Sequence, residues 1–238
     1  MFFHTGGLFM KIAGMQKLSL VDYPEKMCCT LFTSGCNFRC PFCHNAGLVV
    51  RPAEDILTNQ EVFDYLAKRK GMLQAVTISG GEPTLQKGLK EFVQQVKDLG
   101  YLVKLDTNGT NPNLLIDLVE SRLVDYVAMD IKNSKQKYAL TCGLDDMDLS
   151  AVEQSVNFLM SGKVPFEFRT TVVKDFHTAQ DFEDIANWLG NPPKYFLQQF
   201  VNSGDLVQDG LHGYDATEMQ QLLSHVQKFM PNAKLRGV

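Results

Sequence analysis

The chain has 238 residues, 45% of them hydrophobic and 21% charged, which is enough for one full core and ordinary for a globular protein. A formal net charge of −4, with no basic run longer than Lys68-Arg69-Lys70, argues against a nucleic-acid footprint. No apolar stretch is long enough to cross a bilayer as a helix, so a membrane-spanning protein is not expected.

Residues 1–10 carry no basic n-region and too short an apolar run for a signal peptide. They read as an N-terminal extension, non-native or an alternative start with Met10 as the working beginning, ahead of one domain over 11–238. Six cysteines in a chain of this length, with no secretory leader, read as free thiols in a reducing cytoplasm and not as a disulfide framework. Apolar runs predict strands over 28–33, 75–79, 102–106, 126–131, 166–173 and 195–201. Helical patterns lie between them. Thr58-Asn59-Gln60-Glu61 is a capping box for a helix ending at Gly71. A helix from near Gln86 ends at Asp98-Leu99-Gly100. Asn111-Pro112 supplies an N-cap and a first-turn proline, and Thr178-Ala179-Gln180-Asp181 caps a helix running toward Gly190. Residues 149–159 and 219–229 show the apolar period of two more helices. Cys28 and Cys29 fall in a buried strand as small hydrophobes, and Cys142 falls in a polar loop with no evident partner.

Alternating strands and helices indicate an α/β fold with a parallel sheet. Six units suit an open, partial (β/α)6 TIM-like barrel, since a full eight-unit barrel needs more residues. The alternative is a doubly wound open sheet, disfavoured because no Gly-x-Gly-x-x-Gly follows the first strand.

The chemistry starts at Cys36, Cys40 and Cys43, spaced C-x3-C-x2-C. A closed cubane iron–sulfur site takes four thiolates, one per iron, so three leave one iron open to a ligand that is not protein. Adding His44 makes a Cys3His zinc set. However, the side chains of adjacent Cys43 and His44 diverge, and no C-x2-C or H-x3-H pair elsewhere offers a fourth ligand. A pure electron-transfer site would want a fourth thiolate. The spacing, with Phe42 ahead of the last cysteine, resembles the radical S-adenosylmethionine (SAM) superfamily, in which the amino and carboxylate groups of SAM chelate the open iron. The resemblance implies a radical SAM barrel with one oxygen-labile 4Fe–4S cluster on Cys36, Cys40 and Cys43, SAM as cofactor, and an anaerobic or microaerobic setting.

In parallel α/β folds the loops at the C-terminal ends of the strands build the site. After the second predicted strand, Ser79-Gly80-Gly81-Glu82-Pro83 lets a backbone approach a ligand closely; a plain strand–helix turn is the other reading. It resembles the superfamily element that holds the methionine amino group, with Gly81 as the carry-over and Glu82 fixing the turn. Asp106-Thr107-Asn108-Gly109 offers a carboxylate and an amide to a polar ligand, or makes an Asx turn. Asp130 and Lys132 flank an apolar residue. Surface solvation is one account of them; a match to the opposite charges of SAM is the other. Arg169, inside an apolar strand, would be costly to bury unpaired and is expected to meet an anion or a hydroxyl.

Cys-His-Asn, Ser-Gly-Gly-Glu-Pro, Asp-Thr-Asn-Gly and Met-Asp-Ile-Lys together resemble the glycyl-radical-enzyme activating enzymes. The likeness is greatest to the long form of the activating proteins of anaerobic ribonucleoside-triphosphate reductase, and those of pyruvate formate-lyase are near relatives. The resemblance implies a reduced cluster that passes one electron to SAM. The 5′-deoxyadenosyl radical so formed takes a hydrogen from a glycine Cα of the partner, with flavodoxin or ferredoxin as electron donor. No side chain is needed as a general acid or base. Phe42, Cys43 and His44 would lie on the adenine side, and Gly81, Asp130 and Lys132 at the methionyl end. Asp106 would support SAM and, in some members, a monovalent cation, and Arg169 joins the expected SAM contacts. Relatives of the pyruvate formate-lyase type carry a His near the ribose where this chain has Gln198-Gln199-Phe200, so the ribose contact is unassigned. There is no second set of closely spaced cysteines. A radical SAM enzyme with a small-molecule substrate, such as 7-carboxy-7-deazaguanine synthase, shares the fold, but that family more often has Cys-Asp-Thr where this chain has Cys-His-Asn.

Overall fold

A computed structural model of the chain describes residues 10–50, 57–202 and 204–238. The N-terminal extension lies outside the described residues except for Met10, which is buried against the core. In chain order the elements are β1 (Ile12–Ser19), β2 (Cys28–Thr33), α1 (Ala46–Val49), α2 (Asn59–Lys68), β3 (Ala75–Gly80), α3 (Leu89–Asp98), β4 (Leu102–Thr107), α4 (Pro112–Glu120), β5 (Tyr126–Asp130), α5 (Tyr138–Thr141), α6 (Ser150–Met160), β6 (Phe166–Val172), α7 (Ala179–Leu189), β7 (Tyr195–Gln199), α8 (Ala216–Val226) and β8 (Ala233–Arg236). Among the described residues no helix is long and apolar enough to cross a membrane.

All eight strands form one sheet in the order of the sequence. β1 is antiparallel to β2, and β2 through β8 are parallel throughout. A sequential order means that every crossover advances the sheet in the same direction, so it curls into a barrel. A doubly wound sheet would reverse its strand order midway. Among the described residues no pairing joins β8 back to β1 or β2, so the barrel is open.

The parallel series therefore has seven strands, one more than the six expected, and an antiparallel strand precedes it. Both additions are edge strands, where the apolar signal is weakest. β1 exposes Gln16, Lys17 and Leu18 in succession, and β8 is only Ala-Lys-Leu-Arg.

Local chemistry sets the helix ends. The capping box of Thr58 and Glu61, the Asn111 cap with Pro112, and the capping box of Thr178 and Asp181 all form. α2 stops at Lys68, short of the expected Gly71, and Lys70 then bridges to Leu73. α8 begins at Ala216 instead of 219 because Asp215 and Glu218 make a further capping box. β7 ends at Gln199, before the expected 201.

Strand alternation divides the molecule in two. In β4, Val103 and Leu105 join the large apolar core between sheet and helices, while Lys104 and Asp106 face each other inside the barrel. One end of the lumen is plugged by a separate cluster of Tyr23, Cys28, Ala75 and Tyr126, with Leu102 against it. The C-terminal ends of the strands surround the other end.

Candidate functional site

At that other end lies a cavity of about 190 Å³. Its wall carries Cys36, Cys40 and Cys43, then Gly80, Gly81 and Glu82 after β3, then Asp106, Thr107 and Asn108 from β4 and its loop. Asp130 and Lys132 from the end of β5, and Arg169 and Thr171 from β6, complete it. Phe42 and His44 also line it. Every residue singled out in the sequence as a metal or cofactor contact thus reaches one concavity. They come from the ends of five successive strands, β2 to β6, where a parallel sheet collects its loops.

The cysteine loop is held by backbone and amide contacts. Gly81 N–H donates to Thr33 O at 2.9 Å and Glu82 N–H to Gly35 O at 2.8 Å. A Cβ on Gly81 would lie 2.0 Å from Gly35 O, so only glycine fits. The close approach that demands glycine here is to the cysteine loop. Glu82 is buried and accepts from Thr84 N–H (3.0 Å), Thr84 Oγ1 (2.6 Å), Thr107 Oγ1 (2.7 Å) and Asn108 N–H (2.7 Å). It ties the β3 turn to the β4 turn. Asn108 closes an Asx turn on Thr110 and donates to Asn37 Oδ1 at 2.8 Å. The Asp-Thr-Asn-Gly segment therefore makes the turn and presents Asp106 to the lumen as well.

Phe42 is buried, its ring 5.9 Å from Phe176 and 6.4 Å from His177. Core packing occupies that ring. His44 sits at the rim, edge-on to Phe200 at 5.4 Å, and burial lowers its pKa.

Burial pushes the Cys36 thiol up to about 11 and raises Cys43 too, with the Lys132 ammonium pulling both the other way. A hydrogen bond shared with Cys142 lowers the Cys40 thiol. Burial, then the same bond, raise Cys142. This corrects the expectation that Cys142 lies in a polar loop without a partner. It caps α5, is fully buried, and its carbonyl accepts from Arg39 N–H at 2.8 Å. The polar neighbours Lys135, Lys137 and Asp145 hide a helix whose inner face is Tyr138, Thr141 and Cys142.

Behind the thiols runs a chain of alternating charges. Lys132 Nζ donates to Asp130 Oδ2 at 3.0 Å, and Arg169 Nε donates to Asp130 Oδ1 at 2.8 Å. Arg169 also reaches Asp106 Oδ2 at 3.2 Å, where Ser79 Oγ donates at 3.1 Å, and Lys104 contacts Asp106 Oδ1. Asp130 and Arg169 are Cα partners across β5 and β6, which sets this geometry. Burial raises the carboxyl of Asp130, but the Arg169 guanidinium and the Lys132 ammonium outweigh it and hold the group well below the usual range. Asp106 is lowered likewise by Arg169 and Lys104. Ile131, between the charges, is fully buried in the outer core. His177 was not singled out in the sequence; its buried ring meets Lys132 O at 2.8 Å and fixes the end of β5.

Three thiols on one cavity, beside an ammonium that favours their thiolate forms, fit a cluster that takes one thiolate per iron. Among the described residues no three His, Cys, Asp or Glu side chains converge as a single-ion centre would require.

A profile of the radical SAM superfamily matches residues 30–189. A protein of Methanocaldococcus jannaschii, provisionally described as a glycyl-radical enzyme activating enzyme, is 33% identical over 236 residues, covering 95% of this chain and 96% of that one. A second protein of the same organism with the same provisional description is 29% identical over 191 residues, covering 76% and 69%. Streptococcus suis SuiB bound to S-adenosylmethionine superposes with a TM-score of 0.66 at 14% identity, over 87% of this chain and 52% of that one. At that identity the likeness concerns the fold alone.

Proposed function

The chain belongs to the radical SAM superfamily, and we propose that it activates a glycyl-radical enzyme, with anaerobic ribonucleoside-triphosphate reductase as the partner. The superfamily implies a 4Fe–4S cluster and SAM. Bound here, they supply one-electron chemistry that ends in removal of a hydrogen atom from a glycine Cα of the partner. Flavodoxin or ferredoxin is the proposed electron donor.

In this reading Cys36, Cys40 and Cys43 ligate the cluster. Gly81, Asp130 and Lys132 hold the methionyl end of SAM, with Asp106 and Arg169 behind them. The backbone of Phe42 and Cys43 and the ring of His44 take the adenine side. The observation that carries the reading is Lys132. Among the described residues its ammonium makes one side-chain hydrogen bond, to Asp130, and it lines the same cavity as the three thiols. An ammonium has three donors, so the cavity offers a carboxylate a charge-assisted partner beside the cluster ligands. The choice of a protein over a metabolite as substrate rests on the full-length similarity to the M. jannaschii protein and on the unclosed sheet, which leaves room for a peptide loop.

Reduced, reconstituted protein mixed with SAM and the reductase should give the glycyl doublet in electron paramagnetic resonance with stoichiometric 5′-deoxyadenosine. Efficient activation of pyruvate formate-lyase instead would keep the class and change the partner. Turnover of a free small molecule with no radical on any protein would overturn both.

A further inference from the structure

Lys104 is 2% exposed and lies outside the cavity wall, deeper in the lumen than Asp106. Residues two apart on a strand share a face, so in β4 its ammonium runs alongside the Asp106 carboxylate. Its contact with Asp106 Oδ1 is the only hydrogen bond the ammonium makes among the described residues. A buried ammonium bonded to one carboxylate, with the buried Glu167 as a second charge acting on it, is costly to keep, and buried ion pairs are weak evidence for stability. Its position at the end of the charge chain suggests a different task.

From Lys104 the links run outward to Asp106, to Arg169 at 3.2 Å, to Asp130 at 2.8 Å and to Lys132 at 3.0 Å. One guanidinium thus serves two carboxylates. Without Lys104, Asp106 would keep its Ser79 and Arg169 contacts on Oδ2 but lose its partner on Oδ1, and would draw Arg169 toward itself. The Nε bond that steadies Asp130, and through it Lys132, would then weaken. With Lys104 in place, Asp106 is pinned from behind and Arg169 is shared between fixed acceptors.

We propose that Lys104 is a positioning residue for SAM: a cation tethered inside the barrel that fixes Asp106 and, through Arg169 and Asp130, aims the Lys132 ammonium at the cavity. The inference rests on the reading above that Lys132 meets the SAM carboxylate.

A small mobile cation should substitute for a tethered one. With the cluster reconstituted without oxygen, Lys104→Met is expected to weaken SAM binding roughly tenfold, as is usual when a group that orients a ligand-binding residue is removed. Ammonium ions should restore most of the affinity, and tetramethylammonium at equal ionic strength should not. The wild-type protein should bind SAM equally in both salts. Wild-type affinity in the variant, or a loss that the two salts leave equal, would overturn the proposal. If the single variant does not fold, Lys104→Met with Asp106→Asn removes both charges of the pair together. That double variant should bind SAM weakly whichever salt is present, and wild-type affinity in it would overturn the proposal. Failure of the wild-type protein itself to bind SAM would overturn the functional reading beneath it. Wild-type binding with an indifferent Lys104→Met overturns only the role of Lys104.

Discussion

Along β4 and β6 consecutive residues enter two different environments. Val103, Leu105, Phe168 and Val172 turn outward and are fully buried among apolar side chains. Lys104, Asp106, Glu167 and Arg169 turn inward and bond charged groups of their own or other strands. The outer layer gains stability by removing apolar surface from water. The inner layer gives up that gain and holds ionised groups at fixed distances, which adds little to stability but much to orientation. The contrast teaches that one set of strands carries folding on one face and chemistry on the other, so substitutions one residue apart should fail in different ways.

The largest expected effect belongs to the outer layer. Phe168→Ala should cost about 3–5 kcal/mol of unfolding free energy, because a fully buried ring leaves a cavity that its neighbours fill only in part. Chemical denaturation of the anaerobically reconstituted protein checks this. A loss below about 1 kcal/mol would mean that the outer layer is not the stabilising one.

On the inner face, Lys132→Ala should weaken SAM binding by about 1.5–3 kcal/mol through loss of a charge-assisted bond. The absorption of the cluster and the melting temperature should change little. Unchanged affinity in anaerobic titration would remove Lys132 from the site.

A smaller effect concerns acid. Asp106 and Asp130 are held below the ordinary aspartate value of 3.8 by Arg169 and their lysines, against burial. A carboxyl lowered in the folded state contributes stability that is present above its unfolded value and lost as pH falls through its folded one. The wild-type protein should therefore lose stability from these groups only below about pH 4. Asp130→Asn should show a shallower acid slope, read from thermal melts across that window. An identical slope would mean that the pairs do not set it.

Much of this organisation was legible in the residues. The six central strands carry apolar runs, and the thiols, glycines and charges follow those runs at the ends where a parallel sheet forms its site. β1 and β8 were not legible, because an edge strand pairs on one side only and so keeps a polar, interrupted sequence. Cys142 was hidden because its burial comes from a single turn of helix amid charged residues. Lys104 carried a usable signal: a lysine two residues before Asp106 in an apolar strand must share its face. The contact between Gly81 and Gly35 had none, since the two glycines approach only in three dimensions.

The central claim is that one loop supplies three thiolates to an open cluster, and Cys40 beside Cys142 gives it the sharpest test. Each of the six cysteines is changed to Ala, and iron and visible absorption are measured after anaerobic reconstitution. Cys36→Ala, Cys40→Ala and Cys43→Ala should lose the 4Fe–4S signature, while Cys28→Ala, Cys29→Ala and Cys142→Ala should keep their iron. Loss of iron in Cys142→Ala equal to that in Cys40→Ala would contradict a three-thiolate site. Stoichiometric zinc with no uptake of iron would contradict a cluster altogether.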